Sequence, residues 1–174
     1  DYYRRTSDHG FDKKEFYEDP SLYEANLNDY VKVADLYFSC HFWSNTSPKL
    51  LTNEDLKSCS KLKVIADIAC DIADPIASTI RPSTIEAPLY GYNPETKMEG
   101  DFQKDGNIAV MAVDNLPCEL PKESSVDFGI QLINNVVPHL LNGDPERRIF
   151  NASESNMNGK LNEQFGYLET FLNE

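Results

Sequence analysis

The chain of 174 residues has few basic residues and no cluster of them. Lysine and arginine total 16 against 29 aspartates and glutamates, so the formal net charge is −13, and the longest basic runs are pairs such as Arg4-Arg5. A chain this acidic repels nucleic acids and anionic membrane surfaces, so we expect no nucleic-acid partner. No apolar run approaches the roughly 18–20 residues that a membrane helix requires, so we expect no membrane partner either.

Paired cysteines and glycine-rich motifs are also missing. The four cysteines are widely spaced, which excludes a Cys-x-x-Cys zinc ribbon or thioredoxin motif and favours reduced thiols in a cytoplasmic protein. The three histidines have no metal-ligand spacing, so we predict no metal site. Neither Gly-x-Gly nor Gly-x-x-x-x-Gly-Lys occurs, so a phosphate-binding loop is absent from these residues. Together with the missing initial Met, this suggests part of a longer protein.

Three apolar segments predict strands of a parallel sheet: residues 33–40, 62–68 and 108–113. Their apolarity is continuous rather than alternating, which is typical of strands that are buried on both faces. Between the first two, Thr52-Asn53-Glu54-Asp55 resembles a capping box and predicts a helix that reaches Cys59. Strand, helix and strand together indicate a βαβ unit.

The flanking segments predict less regular structure at one end and a long helix at the other. We expect residues 1–19 to form an irregular arm, Asp19-Pro20 to begin a helix that runs to about Tyr30, and residues 93–107 to form a polar excursion. A helix from Pro121 should carry an apolar stripe and be interrupted at Pro138. The stripe consists of Val126, Ile130, Ile133, Val137 and Leu140. We expect this stripe to pack on another domain or on a second copy of the chain, and we divide the chain into residues 1–32, 33–120 and 121–174.

Polar residues follow each predicted strand, where an open parallel sheet binds its ligands. The first strand leads into Cys40 and His41, the second into Asp71, and the third into Asp114 and Asn115. These residues would line one rim of the sheet. The alternative is that Asp71 and Asp114 only cap the ends of their strands and that His41 is an ordinary surface histidine.

Several segments, taken jointly and in order, resemble the lysine–ketoglutarate reductase and lysine-forming saccharopine dehydrogenase family. The resemblance covers about residues 12–142 and depends on segments that include Ser39-Cys40-His41-Phe42-Trp43, Ala66-Asp67-Ile68-Ala69-Cys70-Asp71-Ile72 and Ala112-Val113-Asp114-Asn115-Leu116-Pro117. That family lies within the alanine dehydrogenase and transhydrogenase superfamily. The resemblance implies an α/β fold: the distal part of a Rossmann-like parallel sheet with flanking helices, and a long C-terminal helix that returns toward a missing first domain.

The same resemblance implies NAD or NADP as the cofactor and assigns residues to it. Cys40, His41 and Phe42 would lie along the cofactor. Ile68, Ala69 and Asp71 would lie near the nicotinamide ribose. The nicotinamide end would be closed over by Val113, Asp114, Asn115 and Leu116. We take Asp114 and Asp71 as the candidate catalytic residues. A carboxylate at Asp114 could hydrogen-bond the nicotinamide end or stabilise the cationic imine and nicotinamide that exchange the hydride.

The implied activity is that of the cofactor-domain part of an NAD(P)-dependent oxidoreductase, which joins lysine and 2-oxoglutarate reversibly to form saccharopine. An amino-acid dehydrogenase of the alanine dehydrogenase type and a non-catalytic interaction domain are the alternatives. The family's catalytic lysine and histidine belong to a domain that this sequence lacks, so we expect the chain alone to be inactive. The loop Ala73-Asp74-Pro75 replaces the Gly-Gly of many relatives, which leaves the substrate and the choice of cofactor open.

Overall fold

A computed structural model of the chain describes residues 2–72 and 74–172. Two compact units are present, residues 1–119 and residues 120–174. The strands of the first unit are β1 (Tyr3–Arg5), β2 (Tyr23–Ala25), β3 (Leu36–Ser39), β4 (Val64–Asp67), β5 (Leu89–Asn93), β6 (Met98–Gly100) and β7 (Ile108–Met111). Its helices are α1 (Lys13–Glu18), α2 (Asn28–Val31) and α3 (Asn53–Ser58). The second unit is helical, with α4 (Pro121–Asn135), α5 (Val137–Leu141), α6 (Arg148–Ala152) and α7 (Glu169–Leu172).

The main sheet has five strands in the order β3-β4-β7-β5-β6. The three predicted strands β3, β4 and β7 are parallel neighbours, in a register that places Ser39 opposite Asp67 and Ala66 opposite Met111. The core on this sheet includes Ile65 and Val110, both fully buried. The α/β fold and the parallel arrangement of these strands are therefore confirmed.

The helix between β3 and β4 is also confirmed. Thr52 caps α3: its side chain accepts a hydrogen bond from the Asp55 backbone N–H, while the Asp55 carboxylate accepts one from the Thr52 backbone N–H. This reciprocal pair satisfies two of the backbone donors that a helix start leaves open. Leu56 on the helix is buried and packs into the core.

The prediction that the first strand is buried on both faces is wrong for β3. Leu36 and Phe38, which share one face of β3, are 45% and 61% exposed, and β3 lies at one edge of the sheet. The expectation of burial on both faces holds for β4 and β7, which have neighbours on both sides. Apolar sequence alone does not distinguish a central strand from an edge strand.

The predicted polar excursion at residues 93–107 is wrong in part, since it contains a strand. β5 pairs antiparallel with both β6 and β7, so a hairpin extends the parallel sheet and makes it mixed. Gly91 allows this close packing, because a Cβ there would lie 2.5 Å from the Asp101 carbonyl oxygen.

The predictions for the first 30 residues are corrected more extensively. The expected irregular arm contains β1 and α1, and the expected helix to Tyr30 is instead a single 3-10 turn at Pro20–Leu22, followed by β2 and the short α2. The Asp19 cap is correct, since its side chain accepts a hydrogen bond from the Ser21 backbone N–H. β1 and β2 pair with each other and bury Tyr3 and Tyr23. This long-range pairing overrides the local helix signal.

The second unit contains the expected long helix and its interruption. α4 ends at Asn135 and α5 begins at Val137, with Pro138 in the first turn of α5, where a missing N–H is tolerated. Gly143 follows α5 with a φ of 74°. The five residues of the apolar stripe are exposed. That they pack on another domain or protomer stays a prediction.

Candidate functional site

The loops that follow β3, β4 and β7 begin at the same edge of the sheet, since the three strands are parallel and in register. The structure thus brings the three groups of predicted site residues to the ends of neighbouring strands. The predicted site residues differ in burial. The exposed ones are Cys40, Phe42, Ile68, Asp114 and Asn115; the partly buried ones are His41, Ala69, Asp71 and Leu116; and the buried one is Val113. Ala73 in the loop after β4 lies outside the described residues.

Asp67, the last residue of β4, is fully buried beneath this rim. One of its carboxylate oxygens accepts a 2.6 Å hydrogen bond from the Thr79 hydroxyl, and the other accepts one from the Cys70 backbone N–H at 3.1 Å. Both donors fix the start of the loop that carries Asp71. Sequence reasoning did not predict the contact between Asp67 and Thr79, because no local pattern indicates that they meet.

Cys70 connects the loop after β4 to the end of β7. Its thiol donates a hydrogen bond to the Ala112 carbonyl oxygen at 3.1 Å. Burial raises the pKa of this thiol, and the charges of Asp67 and Asp114 raise it further, so the protonated, donating form is favoured. Its φ of 53° lies in the left-handed region, which is strained for a residue with a Cβ.

The end of β7 is held from a second side. Ser83 donates its backbone N–H to the Ala112 carbonyl oxygen at 2.8 Å and accepts the Ala112 N–H on its hydroxyl at 2.9 Å. Val113, directly after, is buried, whereas the side chains of Asp114 and Asn115 are exposed. The turn therefore presents a carboxylate and an amide from a fixed backbone.

His41 and Asp71 form the other ionisable part of the rim. The Nδ1 atom of His41 lies 3.2 Å from the Ser39 hydroxyl oxygen, and its Nε2 atom is buried with no hydrogen-bond partner among the residues that the structure describes. Burial lowers the pKa of His41, although the charges of Asp67 and Asp71 oppose this. Burial raises the pKa of Asp71, and the charge of Asp67 adds to this, while His41 opposes it. Both effects favour the protonated form of the Asp71 carboxyl more than in an ordinary aspartate.

The donors and acceptors at this rim suit a polar ring system such as a nicotinamide and its ribose. The exposed carboxylate of Asp114 and the exposed amide of Asn115 can meet its polar groups, while Val113 and Leu116 supply apolar contact. The 174 residues contain no glycine-rich loop for a pyrophosphate. The residues present thus fit one end of a dinucleotide.

The part of the chain that the structure describes holds neither a cluster of metal ligands nor a membrane-spanning helix. Within residues 2–72 and 74–172, no three His, Cys, Asp or Glu side chains come together in a way that could hold a metal ion. Over the same part of the chain, no helix combines the length and the apolarity needed to cross a membrane.

Comparison with known proteins gives a family match over most of the chain. Residues 11–168 match the family described as alanine dehydrogenase/PNT, C-terminal domain. Alpha-aminoadipic semialdehyde synthase of Arabidopsis thaliana is 32% identical over 124 residues, which are 68% of this chain and 12% of the plant protein.

Two further relatives are shorter proteins. Saccharopine dehydrogenase (NAD+, L-lysine-forming) of Schizosaccharomyces pombe is 29% identical over 113 residues, 62% of this chain and 28% of the yeast protein. Alanine dehydrogenase 1 of Staphylococcus aureus strain NCTC 8325 is 44% identical over 66 residues, 37% of this chain and 18% of the bacterial protein. The chain thus spans less than a third of the length of each of these three relatives.

Proposed function

We infer the function of this chain from its family, since it belongs to the alanine dehydrogenase/PNT C-terminal domain family. We propose that the chain is the cofactor-domain part of an NAD(P)-dependent oxidoreductase that acts on a carbon–nitrogen bond. The reaction that we propose is the reversible joining of lysine and 2-oxoglutarate to form saccharopine. The similarity to saccharopine dehydrogenase and to alpha-aminoadipic semialdehyde synthase supports this substrate pair.

The observation that carries the proposal is the fixed rim at the ends of β3, β4 and β7. Ligands of open parallel sheets bind beyond the carboxyl ends of the strands. Here the loops after β4 and β7 are tied together by the hydrogen bond from the Cys70 thiol to Ala112. A site whose walls are already hydrogen-bonded in place orients a ligand at lower entropic cost.

A nicotinamide cofactor bound at this rim would supply or accept the hydride. Asp114 would stabilise positive charge at the reacting centre, since its carboxylate is exposed on a backbone that Ser83 holds. Such a placed charge contributes on the order of 100-fold in rate. Asp71 would exchange a proton with the substrate or with water, because its pKa is raised.

The remaining predicted residues would bind rather than react. We propose that Cys40, His41 and Phe42 lie along the cofactor, that Ile68 and Ala69 contact the ribose, and that Val113, Asn115 and Leu116 close over the nicotinamide. The cofactor that we propose is NAD or NADP.

A second candidate is an amino-acid dehydrogenase of the alanine dehydrogenase type. The 44% identity to the Staphylococcus aureus enzyme over 66 residues favours it. The two functions share the cofactor and the rim and differ in substrate, so turnover with lysine plus 2-oxoglutarate, compared with turnover with alanine, separates them.

We also propose the partners and the cellular compartment of the enzyme. The partners would be an amino acid and a 2-oxo acid, and the stripe on α4 and α5 would pack on another domain or protomer. The cysteines are unpaired thiols, which supports a reducing compartment such as the cytoplasm. The functional division would follow residues 1–32, 33–120 and 121–174.

The test is Asp114→Asn in a longer enzyme that carries this chain, assayed with lysine, 2-oxoglutarate and NADH. We expect kcat/KM to fall at least about tenfold, while Tm stays close to that of the unsubstituted enzyme. Asp105→Asn is the matched control, since Asp105 is also exposed but lies in the loop before β7, away from the rim. Unchanged kinetics with a clearly lower Tm would assign Asp114 to structure.

The chain of 174 residues by itself should form no saccharopine in the same assay, because it contains no phosphate-binding loop. Measurable saccharopine formation by the purified chain would contradict this expectation.

A further inference from the structure

A pocket of about 260 Å³ lies between the first 17 residues and the loop after β3. Nine residues line it. Six of them are aromatic: Tyr2, Tyr3, Phe11, Phe16, Tyr17 and Phe42. Drug-sized ligands usually occupy pockets of roughly 300–1,000 Å³, so this one suits a ligand of one or two rings.

The aromatic lining has a buried floor and accessible walls. Tyr3 and Phe16 are buried, with their rings stacked at a centroid distance of 4.6 Å. The Tyr3 hydroxyl donates to the Pro48 carbonyl oxygen at 2.8 Å and so fixes this floor. Tyr17 and Phe42 are 61% and 77% exposed and are available to a ligand. A flat ring of a ligand can stack on such accessible aromatic faces.

The charge of the pocket is opposite to that of the chain. Lys13 is the one charged residue among the nine that line it, and no carboxylate is among them, although the chain carries 29 acidic residues. The Lys13 ammonium lies 5.9 Å from the centroid of the Tyr17 ring. A cationic ligand, which aromatic faces otherwise attract, would be repelled by Lys13, whereas an anionic group would pair with it. The hydroxyl groups of Ser44 and Ser47 add hydrogen-bonding capacity.

We propose that this pocket binds a small planar aromatic ring that carries an anionic group, either a phosphate or a carboxylate. The ring contacts Tyr17 and Phe42, and the anion pairs with Lys13. A free mononucleotide and an aryl carboxylate share this chemistry. Of its three contact residues, Phe42 is shared with the proposed cofactor site, whereas Lys13 and Tyr17 have no part in the proposed function, so the two substitutions below test this pocket separately.

The chain carries its own reporter for this site. Trp43 is the single tryptophan, stands between the lining residues Phe42 and Ser44, and donates its indole N–H to the Pro48 carbonyl oxygen at 3.1 Å. We expect its fluorescence to change saturably when the chain is titrated with AMP or with benzoate, with a Kd below about 1 mM for at least one of them. Adenosine lacks the anion and ribose 5-phosphate lacks the ring, so each should bind at least about tenfold more weakly than AMP if AMP is bound.

Two substitutions locate the binding. Lys13→Gln should weaken it about tenfold through loss of the charged partner, and Tyr17→Ala should weaken it through loss of ring contact. Lys14→Gln is the matched control, because Lys14 is the next residue on α1, does not line the pocket and pairs instead with Glu18. Lys13 and Tyr17 are exposed, so both variants should keep the wild-type circular dichroism spectrum.

The binding of the two probes, AMP and benzoate, identifies the kind of ligand. Binding of AMP alone identifies a nucleotide ligand, binding of benzoate alone identifies an aryl carboxylate, and binding of both supports the shared chemistry. No binding of either probe overturns the proposal, as does binding that persists unchanged in Lys13→Gln and Tyr17→Ala. An Asp114→Asn variant should bind the probes normally, which keeps this result separate from the dehydrogenase assay.

Discussion

The hydrogen bond between Thr79 and Asp67 should contribute substantially to stability, and Thr79→Val tests this. Both side chains are fully buried, and the hydroxyl-to-carboxylate distance of 2.6 Å is typical of a charge-assisted bond. Valine has nearly the volume of threonine, so the substitution removes the donor and leaves the packing largely unchanged. The carboxylate oxygen that it served would then be buried without that donor.

The expected decrease in the free energy of unfolding follows from the loss of the hydroxyl donor and the burial of the carboxylate oxygen. A hydrogen bond to a charged group contributes about 1.5–3 kcal/mol. For a chain of this length the loss corresponds to a fall in Tm of about 3–12 °C. The Cys70 backbone N–H still donates to the other oxygen of Asp67, so the carboxylate keeps one partner and the loss should stay within that range.

Urea denaturation of the purified chain measures this loss as a change in the free energy of unfolding. Thr96→Val is the matched control, because Thr96 is exposed in the turn after β5 and should change stability by less than about 0.5 kcal/mol. In an Asp67→Asn background, Thr79→Val should cost less, since a neutral amide accepts a weaker hydrogen bond. A loss for Thr79→Val no larger than that for Thr96→Val would refute the reasoning.

The pH dependence of stability should contain a contribution from His41. Burial lowers its pKa below the ordinary value of 6.5, so the unfolded chain takes up a proton that the folded chain resists, and stability falls as the pH drops below that value. When the pH is lowered from about 7.5 to about 5.5, the Tm of His41→Asn should fall less than the Tm of the wild type. The Tm of His9→Asn, a substitution of an exposed histidine, should fall as much as that of the wild type. Equal falls in Tm for His41→Asn and the wild type would contradict this. Thr52→Ala should destabilise the chain by about 1 kcal/mol in urea denaturation by breaking the cap of α3, and Thr52→Ser should restore most of it; equal stability of all three would show that the cap contributes nothing. In the chain alone, where no other domain covers the stripe, Ile133→Gln should change the free energy of unfolding by less than about 0.5 kcal/mol, because its side chain is 64% exposed. A loss above about 1 kcal/mol that depends on protein concentration would show instead that the stripe packs on a second copy of the chain.

The sequence predicts those parts of the fold that depend on neighbouring residues. The apolar segments located β3, β4 and β7, the Thr52 cap located α3, and Pro138 located the break after α4. The errors lie where distant segments meet. Pairing of β2 with β1 replaced the expected helix at residues 20–30 by a turn, a strand and a short helix, because it buries Tyr23.

For the candidate site as well, the sequence predicts the position of the loops but not the contacts between distant residues. The rule that ligands bind at the carboxyl ends of parallel strands was enough to select loops that lie at one edge of the sheet. The contacts that hold these loops were not predictable, since the Cys70 thiol reaches a carbonyl 42 residues away and Asp67 is served by a hydroxyl 12 residues away. No local pattern encodes such pairs.

The antiparallel hairpin of β5 and β6 gives the chain a place for protein engineering. Because β5 runs opposite to β7, with Leu89 paired to Met111 and Tyr92 paired to Ile108, its turn at residues 94–97 lies at the end of the sheet away from the rim. The length of β5 separates the two by roughly 16 Å. A reporter peptide or affinity tag inserted in this turn would therefore leave ligand binding intact, and a library randomised there would vary surface properties independently of the site.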